Sequence, residues 1–341
     1  MTATSSNEPT ALQRAIAALE KMKARLEAVE RAANEPIAII GASCRFPGRG
    51  HGLDAFWRVL DQGVDAVQEI PAERWAPTEI SEDKPEARWA ALIDDIAGFD
   101  AAYFGISPRE AESLDPQQRL LLEVVAEALD DAGQTSDNVA GCRGGVFIGM
   151  STADHQYRVI EGRKETYDAY CATGNMQSTA AGRIAFTFDL RGPTMAIDTA
   201  CSSSLVAIAQ GCQSLRSGGA DIVIAGGVNA IMSSRTMALI AETKAMSPDG
   251  RCKTLDSRAN GYVRGEGAGI IIMKRLSTAL RDGDRIHAIL RSWAVNHDGR
   301  SSGLTAPNVL SQEAMLREVL ERAKLTPADV DYIEMHGTGT S

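Results

Sequence analysis

Apolar, strand-like runs alternate with helical segments along most of this 341-residue chain, and that alternation restricts the possible folds more than any other feature. Strands that are apolar throughout are typical of sheets covered by helices on both faces. The sequence therefore predicts an α/β domain with a mainly parallel sheet. The predicted strands comprise residues 37–41, 145–150, 194–199, 221–225, 268–274, 286–295 and 330–335. The predicted helices comprise residues 115–129, 175–187, 202–217 and 312–323.

The middle of the chain contains an irregular segment followed by a sharply defined helix start. Residues 45–110 carry repeated prolines and many aromatic residues, so we expect short helices and loops that cover a core. At Asp115 the pattern changes, because aspartate is a good N-cap and Pro116 suits the first position of a helix. This segment predicts a mostly apolar helix that ends before Gly133.

Cys201 occupies a position with chemical meaning, between the predicted strand 194–199 and the predicted helix 202–217. Free N–H groups and the helix dipole favour negative charge at a helix start, and the thiolate is the nucleophilic form of cysteine. The small neighbours Ala200 and Ser202 leave the sulfur approachable. A buried and inert cysteine is the alternative interpretation, and this stretch alone leaves both open.

The chain closes on a glycine-rich segment, His336 to Ser341, directly after the predicted strand 330–335. Loops at the carboxyl ends of strands are where α/β folds build their sites, so His336 is a candidate catalytic base. A turn histidine without a function is the alternative interpretation.

Composition and charge exclude several classes of function. The formal net charge of −10 argues against nucleic acid or an anionic membrane as a partner. No apolar run is long enough to span a bilayer, and the N-terminus lacks a signal-peptide pattern, so a cytoplasmic location is expected. The six cysteines form no C-x-x-C pair, which indicates free thiols rather than a disulfide or zinc framework. No Walker A loop is present.

A heptad pattern precedes the predicted α/β domain. Residues 10–34 are predicted to form a short coiled coil, most simply a parallel dimer, with a charged opposite face. A single amphipathic helix lying on the main domain is the alternative. Residues 1–9 are polar and predicted to be a disordered tail. The apolar seam consists of Leu12, Ala15, Leu19, Met22, Leu26, Val29 and Ala33.

Several segments, taken in order, resemble the β-ketoacyl synthase (ketosynthase) domain of modular type I polyketide synthases. That resemblance covers residue 35 to the end of the chain and implies the thiolase-like fold. The heptads resemble the docking coiled coils that begin polyketide synthase subunits. The matching segments are Glu35–Gly41, Cys44–Gly48, Phe104–Glu110, Asp115–Arg119, Asp198–Ser204 and His336–Thr340.

The resemblance also implies roles for individual residues. Cys201 would be the acyl-accepting nucleophile, with its backbone N–H in an oxyanion hole. His336 would stabilise the enolate that forms as a malonyl-type thioester loses carbon dioxide. Thr338 and Thr340 would hydrogen-bond the phosphopantetheine arm of an acyl carrier protein. The implied reaction is acyl transfer to Cys201 followed by a decarboxylative Claisen condensation, with no directly bound cofactor and no metal.

Domain organisation and partners follow from the same resemblance. Residues 35–275 would form the N-terminal half of the ketosynthase, and residues 276–341 the start of its C-terminal half. Acyl carrier protein domains, an upstream synthase subunit docking on residues 10–34, and a homodimer near residues 175–190 are the expected partners.

The resemblance implies a later histidine, in an Asn-x-Gly-His segment with a nearby lysine, which does not occur before Ser341. The chain is therefore expected to be a fragment of a longer product or a truncated protein that has lost condensation. Expressed alone, it is expected to lack elongation activity and to be unstable, because missing strands would expose a sheet edge.

Two other functions were weighed against this one. A thiolase-fold enzyme acting on coenzyme A esters shares the nucleophile, but the heptads and the segments Phe104–Glu110 and Asp115–Arg119 favour a modular polyketide synthase. A non-catalytic docking or scaffold protein would not need Cys201 and His336, and both residues are present.

Overall fold

A computed structural model of the protein describes residues 10–76, 79, 83–162, 167–303 and 305–340; for 27–33 and 161 it describes the backbone alone. The predicted tail, residues 1–9, lies outside the described residues.

The N-terminal segment forms one long helix, α1 (Ala11–Ala33), as predicted. Thr10 and Gln13 cap its start reciprocally, since each backbone N–H donates to the other side chain. Leu12, Leu19 and Met22 of the predicted seam are 65% to 70% exposed. This part of the seam therefore does not pack on the domain, and its pairing in a coiled coil stays a prediction.

The main sheet has seven strands in the order β10-β1-β9-β7-β5-β6, with β2 paired to β1, and a small second sheet has the order β3-β4-β8. The strands are β1 (Ile37–Phe46), β2 (Gly50–His51), β3 (Val67–Glu69), β4 (Trp89–Ala91), β5 (Gly144–Gly149), β6 (Thr194–Ile197), β7 (Ile222–Asn229), β8 (Arg264–Gly265), β9 (Gly267–Arg275) and β10 (Ala288–Leu290).

Helices cover both faces of the main sheet. The helices after α1 are α2 (Leu53–Asp61), α3 (Pro108–Ser113), α4 (Pro116–Asp131), α5 (Ser136–Val139), α6 (Asp154–Gly162), α7 (Ala169–Thr173), α8 (Gln177–Thr187), α9 (Ser203–Ser217), α10 (Ser234–Ala241), α11 (Leu276–Asp282) and α12 (Val309–Ala323). Helices α4 and α8 pack on one face against Val146 and Ile148 of β5. Helix α9 packs on the other face against Phe147. Because successive residues of a strand point to opposite faces, β5 is buried on both sides.

The sheet is mixed, and the prediction of a mainly parallel sheet was wrong in this respect. Strands β5, β6 and β7 are parallel, whereas β9 runs antiparallel to both β7 and β1, and β10 is antiparallel to β1. The connection from β7 to β9 stays at the edge of the sheet where β7 ends, so β9 must return in the opposite direction. An alternation of strand-like and helical patterns does not reveal at which edge a connection finishes.

Two predicted strands near the end of the chain also differ from the structure. The predicted strand 286–295 is reduced to β10, three residues long. Residues 330–335 form no strand, and Tyr332 and Ile333 are more than 70% exposed, at 77% and 72%. A strand requires a partner for its backbone groups, and the described residues supply none for this segment.

Candidate active site at the carboxyl edge of the sheet

Cys201 lies where the sequence pattern placed it, between a strand and a helix. It is the middle residue of a 3₁₀ turn, Ala200–Ser202, that joins β6 to α9. Strands β5, β6 and β7 are parallel, so their carboxyl ends meet at this edge of the sheet. The thiol is exposed, which rules out the buried and inert alternative.

Two glycines allow the start of α9 to approach the sheet closely enough to form this edge. A Cβ atom on Gly149 would lie 2.5 Å from the backbone nitrogen of Ser204, and one on Gly227 would lie 2.8 Å from the Ser204 Cβ. Both distances are below van der Waals contact, so only glycine fits at either position. The turn that carries Cys201 is thereby held directly over the ends of β5 and β7.

The turn has a strained backbone conformation that hydrogen bonds hold in place. Ala200 has a φ of 55°, in the left-handed region that a non-glycine residue rarely adopts. The Asp198 carboxylate accepts the Ala200 N–H at 3.0 Å. The Ser203 hydroxyl accepts the Thr199 N–H at 2.9 Å and donates to the Ala200 carbonyl at 2.7 Å. Such a conformation persists only where neighbouring groups fix it, and strained backbone of this kind clusters at functional sites.

His336 lies in an exposed loop that rests on a second loop, residues 252–263. The Gly339 carbonyl accepts the Gly261 N–H at 2.9 Å, and the Thr254 hydroxyl donates to the Gly337 carbonyl. Gly337 and Gly339 have φ values of 54° and 67°, so these positions favour glycine. This explains the glycines of the closing segment.

Thr338 and Thr340 lie in the same loop, with their hydroxyl oxygens 3.1 Å apart. Thr338 is half-buried and Thr340 is exposed. Each hydroxyl is therefore positioned on the same short segment as His336.

Tyr262 connects the two halves of the site, and sequence analysis missed it. Burial raises the pKa of its phenol; Arg264 opposes the rise, and a charge on the nearby Cys201 adds to it. The preceding residue, Gly261, holds the His336 loop. The structure thus brings Cys201 and the His336 loop to the same Gly261–Tyr262 corner, although no hydrogen bond joins Cys201 to His336 among the described contacts.

A layer of buried polar side chains lies beneath this edge of the sheet. Asp115 is fully buried and caps α4 by accepting the Gln117 N–H at 2.8 Å. Burial raises the pKa of Asp115 to about 6, an effect that Asp154 reinforces and Arg119 opposes. The sequence predicted that the Asp115–Arg119 segment starts a helix, but it did not predict that the segment is buried beneath the site.

Among the described residues, no group of three or more His, Cys, Asp or Glu side chains could hold a metal ion. Within the same residues, no helix is long and apolar enough to cross a membrane.

Comparison with known families gives this geometry a context. The family described as β-ketoacyl synthase, N-terminal domain, matches residues 34–279. The chain belongs to the β-ketoacyl synthase family. The corresponding C-terminal domain of this family matches residues 287–341. The predicted thiolase-like ketosynthase fold is therefore confirmed, as is the likeness to the ketosynthase domain of modular polyketide synthases.

Similar proteins include parts of large mycobacterial synthases. One phenolphthiocerol/phthiocerol polyketide synthase protein of Mycobacterium tuberculosis is 46% identical over 90% of this chain, which spans 17% of that protein. A second protein of the same synthase and species is 45% identical over 90% of this chain, which spans 20% of it. The ketosynthase chain thus spans a fifth or less of these curated relatives.

Solved structures give the same result. The ketosynthase domain of the Streptomyces albus oxazolomycin synthase is 39% identical with a TM-score of 0.85, over 90% of this chain and 53% of that one. The ketosynthase from module 6 of the Bacillus subtilis bacillaene synthase is 35% identical with a TM-score of 0.82, over 90% of this chain and 52% of that one. The present chain therefore spans about half the length of these solved ketosynthase chains.

Proposed function

We propose that this chain contributes the acyl-accepting part of a β-ketoacyl synthase that elongates polyketide chains. The observation that carries the proposal is the exposed Cys201 thiol, held on a strained and hydrogen-bonded turn at the carboxyl edge of the sheet. A nucleophile in that position is open to a thioester at the end of a long arm.

The first chemical step is acyl transfer. The Cys201 thiolate attacks the carbonyl carbon of an acyl thioester, a new carbon–sulfur bond forms, and the phosphopantetheine thiolate of an acyl carrier protein leaves and takes up a proton. The Cys201 N–H donates to no acceptor among the described residues, so it is available to stabilise the tetrahedral oxyanion. Both the nucleophile and one oxyanion donor are thus supplied by a single residue.

The second step is decarboxylative condensation, in which His336 is the proposed participant. A malonyl-type thioester loses carbon dioxide, and the resulting carbanion attacks the acyl group on Cys201 and displaces its thiolate. His336 would stabilise the enolate, while Thr338 and Thr340 would orient the phosphopantetheine arm. The hydrogen bond from the Gly261 N–H to the Gly339 carbonyl, which keeps their loop beside Tyr262, supports this assignment.

We also propose partners and domain boundaries. Residues 35–275 would form the N-terminal half of the synthase and residues 276–341 would belong to its C-terminal half, a division that the family matches to residues 34–279 and 287–341 support. Helix α1 would dock on an upstream subunit, which its exposed seam supports. A homodimer is supported by β6, an edge strand of the sheet, and by Phe186 and Leu205, which are 88% and 70% exposed.

The test is acyl labelling followed by intact mass measurement and peptide mapping. The protein is incubated with acetyl and hexanoyl thioesters of N-acetylcysteamine, which reproduce the end of the phosphopantetheine arm. We expect a single adduct on Cys201 that Cys201→Ala abolishes. Cys252→Ala removes the other exposed thiol and should leave the adduct unchanged. No adduct on a well-folded protein would favour a scaffold, and acylation by coenzyme A esters alone would favour an enzyme of that class.

A further inference from the structure

The Asp115–Arg119 segment has no role in the proposed chemistry, yet its side chains are among the most deeply buried polar groups described. Asp115 is fully buried, and Gln117 and Gln118 are each 1% exposed. Burying an uncharged amide is costly unless all its polar atoms find hydrogen-bond partners. The hydrogen-bond partners of each side-chain amide therefore indicate which segments that glutamine holds together.

The Gln117 amide binds two separate loops at the carboxyl edge of the sheet. Its Nε2 donates to the Thr152 carbonyl at 3.1 Å and to Asp115 at 3.3 Å. Its Oε1 accepts the Thr152 hydroxyl at 3.1 Å and the Ala230 N–H at 3.3 Å. Thr152 follows β5 and Ala230 follows β7, so Gln117 fastens the loop after one central strand to the loop after its neighbour.

The loop after β5 in turn contacts the turn that carries the nucleophile. Ser151 precedes Thr152, and its hydroxyl oxygen lies 3.0 Å from the Ser203 hydroxyl and 3.4 Å from the Ala200 carbonyl. These two groups also fix the left-handed conformation of Ala200. A continuous path of hydrogen bonds and one peptide link therefore runs from the buried amide to the residue before Cys201.

We propose that Gln117 is a positioning residue for acyl transfer, which holds the Ser151–Thr152 loop against the turn so that the Cys201 thiol faces the incoming thioester. The proposal rests on the proposed role of Cys201. The Gln117 amide bonds to Asp115, Thr152 and Ala230 and not to Cys201, so we expect it to act on the rate of acylation and not on thioester binding.

The neighbouring glutamine provides a matched control. Gln118 lies on the same helix with the same burial, but its Nε2 donates to the Gly174 carbonyl at 3.0 Å, and its Oε1 accepts the Arg183 Nε at 2.9 Å. These partners belong to the segment around α8 and not to the Cys201 turn. Substitution of Gln118 should therefore destabilise the fold in the same way without disturbing the nucleophile.

The experiment compares Gln117→Met, Gln118→Met and Thr152→Val by melting temperature and by the saturation kinetics of Cys201 acylation with hexanoyl-N-acetylcysteamine. We expect both methionine variants to melt at lower temperature. The maximal acylation rate of Gln117→Met should fall about tenfold or more, because a small misplacement of a reacting atom is costly, while its KM stays unchanged. Thr152→Val keeps the shape of the side chain and loses the hydroxyl contacts to Gln117 and Asn229, so its maximal acylation rate should fall by about threefold. The maximal acylation rate of Gln118→Met should stay within about twofold of the wild-type rate.

Wild-type rates in Gln117→Met and Thr152→Val, or an equal loss in Gln118→Met, would overturn the proposal. If Gln117→Met does not fold, Thr152→Val against Gln118→Met decides it. Absence of acylation in the wild-type protein would instead contradict the proposed function itself.

Discussion

The Cys201 turn and the His336 loop, which meet at the Gly261–Tyr262 corner, are held in different ways. The turn is fixed by side chains from its own segment and from the Ser151 loop. The His336 loop rests on contacts from residues 254 and 261, and His336 itself is exposed. The comparison indicates that Cys201, the proposed nucleophile, is preorganised by the N-terminal half, whereas the position of the histidine depends on how one loop lies on another.

The largest effect on the Cys201 turn is expected from disturbing the contact between α9 and the sheet. Gly149→Ala would place a methyl group 2.5 Å from the Ser204 backbone nitrogen, where only a backbone shift can relieve the clash. We expect a loss of about 3 kcal/mol in the free energy of unfolding and a drop in Cys201 acylation of about tenfold or more. Denaturant unfolding and acyl labelling measure the two effects.

The matched control is Gly182→Ala in α8, where an added Cβ meets nothing within 4 Å. Alanine is the better helix former, so this variant should be as stable as wild type or slightly more stable. If Gly149→Ala kept wild-type acylation and stability, the claim that close packing fixes the turn would fail.

A second prediction concerns the buried layer and its dependence on pH. Since burial raises the pKa of Asp115 from 3.8 to about 6, the folded protein holds this proton more tightly than the unfolded chain does. Its contribution to stability is present at pH 4 and is lost as the pH rises through about 6, by about 3 kcal/mol. Urea unfolding across that range should show wild type losing stability relative to Asp115→Asn.

Asp168 is a control of opposite sign, because it also caps a helix but is only partly buried. Desolvation raises the pKa of Asp168, but hydrogen bonds from the Cys171 N–H and from Arg109 outweigh it and hold the pKa below its usual value. Its contribution should therefore be present at neutral pH and be lost as the pH falls. The same direction of change for both aspartates would contradict the assignment of burial as the cause at Asp115.

The contrast between the two halves of the site also explains what the sequence could predict. The strand, turn and helix around Cys201 are consecutive in the chain, so local patterns were sufficient to place the nucleophile. The glycines around His336 predicted a loop but not the surface on which that loop packs, because the contact between Thr254 and Gly337 joins residues 83 positions apart. Tyr262 stands in a loop whose local pattern carries no signal of function.

Long-range contacts account for the other differences. The amide of Gln117 bonds to residues 35 and 113 positions away, so its role follows from which loops meet and not from its neighbours. The direction of β9 likewise depends on where a long connection ends. In both cases the residue types were compatible with several arrangements, and tertiary packing selected one.

The most direct measurement of the central claim is the rate of Cys201 acylation in His336→Ala beside wild type and Cys201→Ala. If the N-terminal half preorganises Cys201, His336→Ala should take up the hexanoyl group from its N-acetylcysteamine thioester within about threefold of the wild-type rate, because no described hydrogen bond joins His336 to the groups that fix the Cys201 turn. Cys201→Ala should take up none. A loss of acylation in His336→Ala as complete as in Cys201→Ala, with the fold intact, would contradict the account.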